Sequence, residues 1–217
     1  MYQLYYSPGK ANLAPHMLLE EIGVPFQLVA VDTDNNAHRG AAYLRLNPNG
    51  RLPTLVDGDL VLYEAAAICL HLADRHPEAR LAPALGTAER AHFYKWLMYL
   101  TNTLQAELIT YFYPERLTDD DAATAQVKRH AEARVGTMLD LIEETLAQNA
   151  GAGRGPFLLG DSFTAVDPFL LMLCRWTRNM RHPARARSHL GRTLETLLAR
   201  PAVLRAFAGE GIVAPLV

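Results

Sequence analysis

The chain has 217 residues, half of them hydrophobic and a fifth charged, an ordinary globular composition with room for one large domain or two small ones. Its formal charge of −2 lacks the basic excess of a general nucleic-acid binder. The longest apolar run, around "PFLLML", is far too short to cross a bilayer, and the N-terminus shows no basic-then-apolar segment of a secretory signal. Two cysteines, Cys69 and Cys174, stand far apart in apolar helical surroundings, so free thiols and a cytoplasmic location are expected. The histidines are scattered without metal-ligand spacing, and no metal is expected.

In chain order, "QLYY" and "FQLVAV" read as strands. Between them, residues 12–22 place Leu13, Met17, Leu18 and Ile22 on one helical face, which Gly23 and Pro25 end. A short helix is expected at about 38–46, before Pro48. "TLV" and "LVLY" flank Asp57-Gly58-Asp59, a hairpin signal. A helix then opens at Glu64 and carries Ile68, Leu70 and Leu72 toward Asp74. The order βαβ, short helix, ββα predicts one mixed sheet with helices on its faces.

Residues 76–86, "HPEARLAPALG", hold two prolines and a glycine and read as a linker, placing 78–86 between a domain at 1–77 and another at 87–217. Beyond the linker the pattern is helical throughout. One long helix is expected at about 88–112, stopping before Pro114. Another starts near "TDDD", whose carboxylates suit a helix N-terminus, and runs through Val127, Val135, Leu139, Ile142 and Leu146. "GAGRGP" breaks the chain. Thr164-x-x-Asp167 then resembles a capping box, with Pro168 in the first turn, and two shorter helices finish the chain.

Three stretches carry candidate chemistry. "YYSPGKANLAPH", residues 5–16, runs a strand through a Pro-Gly turn into a helix, an arrangement that points backbone N–H groups at open space. In "NPNGRLPTLV", residues 47–56, Pro53 opens a strand. A cis bond there would leave the N–H and C=O of Leu52 unpaired for an extended ligand, whereas the plainer reading is a simple turn. In "YEAAAI", Glu64 stands at a helix start, where a carboxylate side chain and free N–H groups can together hold an amino-acid zwitterion; alone, it is a favourable first-turn acid.

Taken in order, the Tyr-rich strand and turn, "NGRLPTL", "YEAAAI", the linker, the helical half and "LGDSFTAVD" resemble a bacterial glutathione transferase near the beta-like groups. The resemblance covers essentially the whole chain. It implies an α/β thioredoxin-like N-terminal domain, an all-α C-terminal domain and a homodimer, with glutathione as co-substrate and no bound cofactor. Carried over by position, Leu52 would pair its backbone with the cysteinyl unit, and Pro53 would be the cis proline. Glu64 would face the γ-glutamyl amine. Ala65 stands where many relatives have Ser, so only its backbone N–H is left for the γ-glutamyl carboxylate. Arg51, with His38 second, would reach the glycyl carboxylate, or Arg51 is simply exposed.

The resemblance gives no direct heir for thiol activation, because relatives place Ser near position 10 or Cys near position 11 and this chain has Lys10 and Ala11. Asn12 is the first candidate, as amide donor or as helix cap. Lys10 follows, as a nearby charge or a solvated side chain, and then Tyr6, with a structural role equally open. Tyr111 and Tyr113 would line a pocket for a second, apolar substrate, an electrophile or an organic peroxide, with Phe112 in the core and Trp176 either across from them or a buried structural residue. Conjugation is the activity expected. Glutathione-dependent disulfide or peroxide reduction, or a non-enzymatic binding or scaffold role, are the alternatives. Seven arginines between Arg175 and Arg200 form a local basic stretch, readable as a solvated helical face or as a surface for an anion.

Overall fold

The computed structural model describes all 217 residues. The chain divides into two compact units, Met1–Ala82 with Leu197–Leu216, and Pro83–Thr196 with the terminal Val217. In the first, strand β1 (Tyr2–Tyr6) pairs parallel with β2 (Phe26–Ala30) and antiparallel with β3 (Thr54–Asp57), which pairs antiparallel with β4 (Leu60–Tyr63). The sheet order is therefore β2-β1-β3-β4, with the Gly58 hairpin where the sequence signals it. Helix α1 (Leu13–Ile22) ends on left-handed Gly23, whose N–H donates to the Leu19 carbonyl. The expected helix at 38–46 is split by extended Gly40 into a 3-10 turn, Ala37–Arg39, and a single α-turn, α2 (Ala41–Leu44). Helix α3 spans Ala65–Arg75.

The sequence periodicity gave α1 one buried face, yet every residue from Leu13 to Leu19 is buried. The cause lies at the other end of the chain. Helix α1 packs against α3 and also against the last helix of the chain, Pro201–Gly209. Two ion pairs fix that second packing: Arg200 grips Glu21 with Nε and Nη2 at 2.6 and 2.9 Å, and Arg205 Nε meets Glu20 at 2.6 Å. The compact units differ here from the domain expected at 87–217: by packing, the stretch Leu197–Leu216 groups with the N-terminal strands and helices. The compact N-terminal unit also runs on to Ala82, into the expected linker.

The second unit is helical. The single helix expected at 88–112 is α4 (Ala88–Met98), a π-helical segment (Tyr99–Gln105) and α5 (Ala106–Phe112). Thr101 Oγ1 donates to the Leu97 and Met98 carbonyls there, drawing backbone acceptors out of the regular ladder. Helix α6 (Asp121–Gly151) is capped by Asp120, whose carboxylate accepts from Ala122 and Ala123 N–H, and buries Val135, Leu139, Ile142 and Leu146. Helix α7 (Val166–Trp176) is buried along nearly all its length, so its apolar run "PFLLML" is the centre of this core. Helix α8 (Ser188–Leu198) follows, and Pro201–Gly209 is α9. No helix is long and apolar enough to cross a membrane, and no group of three or more His, Cys, Asp or Glu side chains is arranged to hold a metal ion.

At the start of α7 the Thr164–Asp167 pair forms one half of a capping box. The acid reaches back: Asp167 Oδ2 accepts from Thr164 N–H at 2.8 Å, while Oδ1 accepts from Leu158 N–H at 3.1 Å. Asp167 is fully buried, so removing it strands two backbone donors in a dry site. Asp167→Ala is expected to lower the unfolding free energy by about 2–4 kcal/mol. Urea denaturation followed by circular dichroism checks this, with exposed Asp119→Ala near neutral as the control.

Candidate functional site

The sheet register places three backbone features together. Tyr5 of β1 faces Thr54 of β3, and Thr54 faces Tyr63 of β4. The turn after β1, the residues before β3 and the residues after β4 therefore share one end of the sheet, on neighbouring strands about 4.8 Å apart.

The first feature is the turn at 7–12. Its hydrogen bonds run from Lys10 N–H to the Ser7 carbonyl and from Leu13 N–H to the Lys10 carbonyl. Ala11 and Asn12 enter the helix with N–H groups that such a terminus leaves without an intrahelical acceptor. Lys10 is exposed and Tyr6 half-buried. Asn12 is fully buried. Its Oδ1 accepts from Ser7 N–H and its Nδ2 donates to Glu210, so the amide expected to face a ligand is instead turned into the unit. It does not cap the helix through its side chain either. Ser7 is likewise occupied, its hydroxyl 3.1 Å from Thr33 Oγ1.

The second feature is the approach to β3. The Leu52–Pro53 peptide bond is cis. The Leu52 backbone takes no part in the β1–β3 ladder, which starts at Thr54, or in the hydrogen bonds of the preceding loop. That loop is pinned from below. Tyr43 Oη donates to the Arg51 carbonyl at 2.7 Å and lies 2.9 Å from Thr54 Oγ1, and Asn47 Nδ2 donates to the same Arg51 carbonyl at 2.8 Å. Arg51 itself is exposed. Gly50, at φ 56°, lies against the His38–Arg39 turn, where a Cβ would come within 3.0 Å of the His38 carbonyl and Arg39 Nη1. Arg39 Nη1 donates to the Asn49 carbonyl, and His38 keeps a buried Nδ1 with no partner. His38, Arg39 and Arg51 thus border one loop. Arg39 had no signal in the sequence, because only the fold of the 37–50 stretch brings it beside Asn49.

The third feature is Glu64–Ala65. Glu64 is exposed and adopts φ 72°, ψ 112°, a conformation that costs a non-glycine residue about 1–3 kcal/mol and is concentrated at functional sites. It turns the chain so that α3 begins at Ala65, which is buried, with no side-chain cap. The free N–H groups of that first turn point out of the same sheet end.

In the C-terminal unit the expected aromatics divide. Tyr111 lies under the Lys128 ammonium at 4.9 Å, and burial together with nearby Glu132 raises its phenol pKa. Tyr113 is stacked by Arg116 at 3.8 Å. Phe112, expected in the core, is exposed and meets Trp176 edge-on at 6.3 Å. Helix α5 ends at Phe112 and Tyr113 leaves helical geometry before Pro114, so the last side chain projects from the packed face. The arginine-rich stretch is largely structural. Arg187 binds Asp140 and the Gly136 carbonyl, and Arg185 reaches the carbonyls of Arg178 and Val217. An open cleft of about 650 Å³ beside α6 mixes Arg129, Arg181 and His182 with Glu132 and Asp140.

Family models for the glutathione S-transferase N-terminal domain and C-terminal domain match residues 1–74 and 120–209. The chain is 31% identical to glutathione S-transferase 3 of Zea mays over 215 residues, 96% of this chain and 92% of that one. A glutathione transferase homologue from Sulfitobacter, solved with bound glutathione, superposes with a TM-score of 0.87 at 26% identity, covering 98% of this chain and 99% of that one. A bacterial beta-class glutathione S-transferase from Sphingomonas chungbukensis gives 0.82 at 31% identity, over 97% of this chain and all of that one.

The pinned loop gives a test that needs no ligand. Tyr43 is buried, and burial raises its phenol pKa above the ordinary 10.0. A raised folded pKa contributes stability that is complete below the unfolded pKa and lost as pH rises through the folded one. Tyr43→Phe is expected to cost about 1–2 kcal/mol at neutral pH. Urea unfolding of both proteins at several pH values should show that difference constant up to about pH 10 and shrinking above it.

Proposed function

The chain belongs to the glutathione S-transferase family, and we propose that it binds glutathione at the carboxyl end of β1, stabilises the thiolate and transfers it to an apolar electrophile. The observation that carries this reading is the Tyr5–Thr54–Tyr63 register, which aligns the α1 turn, the unpaired Leu52 peptide and the α3 start. Leu52 N–H and C=O pair with the cysteinyl backbone as an added strand does. Glu64 receives the γ-glutamyl amine and Ala65 N–H donates to its carboxylate. Arg51, joined by Arg39 and His38, takes the glycyl carboxylate.

The sulfur then lies at the α1 N-terminus. Lowering a thiol pKa from about 8.5 by two units requires about 2.7 kcal/mol of preference for the thiolate. An ammonium at about 4 Å supplies up to about 4 kcal/mol at an effective dielectric of 20, and a helix terminus adds up to about 2 kcal/mol. Lys10 and the Ala11 and Asn12 N–H groups therefore suffice together without Ser or Cys, with Tyr6 beside them. Conjugation is favoured over reduction because Cys69 and Cys174 are fully buried and burial raises both thiols well above their usual range. A redox cycle would run on glutathione sulfur alone.

Phe112, Tyr111 and Trp176 supply apolar surface for the second substrate. A second copy of the chain covers Tyr94 and Met98, exposed one turn apart on α4, and Leu141 on α6. The two free, buried cysteines suit a reducing cytoplasm.

The test is thiolate absorbance of enzyme-bound glutathione against pH. A pKa about two units below that of free glutathione is expected, with Lys10→Ala returning about one unit of it. An unshifted thiol in the wild type would contradict the reading. Rates with a chloronitroarene, a model disulfide and cumene hydroperoxide then separate conjugation from reduction.

A further inference from the structure

Glu210 is the first residue after α9, and it is buried, with 4% of its surface exposed. A buried carboxylate is costly unless it is surrounded by donors. Three are present, all from the turn that opens α1 or the helix itself. Gly9 N–H donates to Oε2 at 2.8 Å, Asn12 Nδ2 donates to Oε1 at 2.9 Å, and His16 Nδ1 lies 2.9 Å from Oε1. Asn12 closes the ring by accepting from Ser7 N–H at 3.2 Å. One carboxylate almost two hundred residues away thereby ties down both ends of the 7–12 turn.

Its delivery is built into the fold. The Arg200–Glu21 and Arg205–Glu20 pairs hold α9 against α1. Gly209 then passes so close to His16 that a Cβ would sit 3.2 Å from its Cε1. The backbone must come this near for the next side chain to reach beneath the turn.

We propose that Glu210 is a positioning residue for the thiol site: it sets the α1 turn through Gly9 and Asn12, so that the Ala11 and Asn12 N–H groups converge on the sulfur, and Asn12 acts through it as a strut rather than as a donor to the thiol. The inference rests on the reading of this turn as the thiol site. It also assigns a task to the C-terminal stretch, which lies outside the βαβ-α-ββα domain in sequence.

Glu210→Gln keeps the volume but cannot match the ring. The two oxygens have separate donors, and a glutamine offers one oxygen and an NH₂, which sets a donor against either Gly9 N–H or Asn12 Nδ2. Hydrogen exchange without ligand is the first arm. The 7–13 segment should exchange about tenfold faster or more in Glu210→Gln, with α6 and α7 unchanged. The second arm is bound glutathione. Its thiol pKa should rise by about one unit and kcat below that pKa fall about tenfold, with KM for glutathione changed less than about threefold. In the third arm, Asn12→Ala and the double variant Asn12→Ala/Glu210→Gln should shift the thiol pKa no further than Glu210→Gln does alone. Where Glu210→Gln does not fold, Gly209→Ala, which displaces His16 by a few tenths of an ångström, should give the same signs at smaller amplitude.

Unchanged exchange at 7–13 in a folded variant overturns the proposal, as does an unchanged thiol pKa. Additive pKa effects of the two substitutions overturn the strut and make Asn12 a direct donor. A wild-type protein that fails to lower the thiol pKa at all fails the glutathione reading instead, and the exchange arm still decides whether Glu210 holds the turn.

Discussion

The antiparallel entry of β3 between β1 and β4 is the constraint from which the site follows. Because β1 runs toward one end of the sheet, β3 starts there and β4 finishes there, and the pairs Tyr5–Thr54 and Thr54–Tyr63 bring three chain segments to one edge. Each arrives with backbone groups that regular structure does not use: two helix starts and the peptide before Pro53. Under the proposed reading, a peptide-like ligand with carboxylates at both ends and amides between them would match that layout. In the proposed site, the exposed arginines, the Glu64 carboxylate and the helix termini would serve orientation more than raw affinity, since each charge stands partly in water.

The turn at the end of β1 resolves an apparent deficit. Its sequence has Lys10 and Ala11 where the resemblance would place a serine or cysteine, and its most polar neutral side chain, Asn12, points into the unit. What faces outward is backbone and the Lys10 charge. Such a device works only if the turn is rigid, because hydrogen-bond donors that must reorganise lose most of their value. Rigidity comes from a small polar core of Asn12, His16 and Glu210 beneath the turn, walled by Phe26, which meets the His16 ring edge-on.

Much of this was legible in the residues, and what was not has a common cause. The strand pattern, the Gly58 hairpin, the Gly23 stop and the four-residue Thr164–Asp167 signal are local, and each appears where short-range chemistry put it. "NGRLPTL" and "YEAAAI" marked two of the three segments that the sheet register brings to one end. The misses are long-range. Nothing around "AGEGIV" indicates that Glu210 will lie under residue 9, and nothing at Arg39 indicates the neighbouring 47–51 loop. The full burial of α1 required a helix from the chain end, which no local periodicity in residues 12–22 could show. The π segment at 99–105 interrupts a helix whose apolar spacing continues across it. The arginine-rich stretch shows the converse, where a conspicuous composition turns out to be mostly intramolecular bonding.

The proposed binding site is single and is formed by three backbone segments on one sheet edge. It is tested most directly by titrating the isotope-labelled protein with glutathione and following amide resonances residue by residue. The largest shifts should fall together on residues 10–13, on Leu52 and on 64–66, saturating with one common dissociation constant. Shifts confined to one segment, or centred on the cleft beside α6, would contradict it.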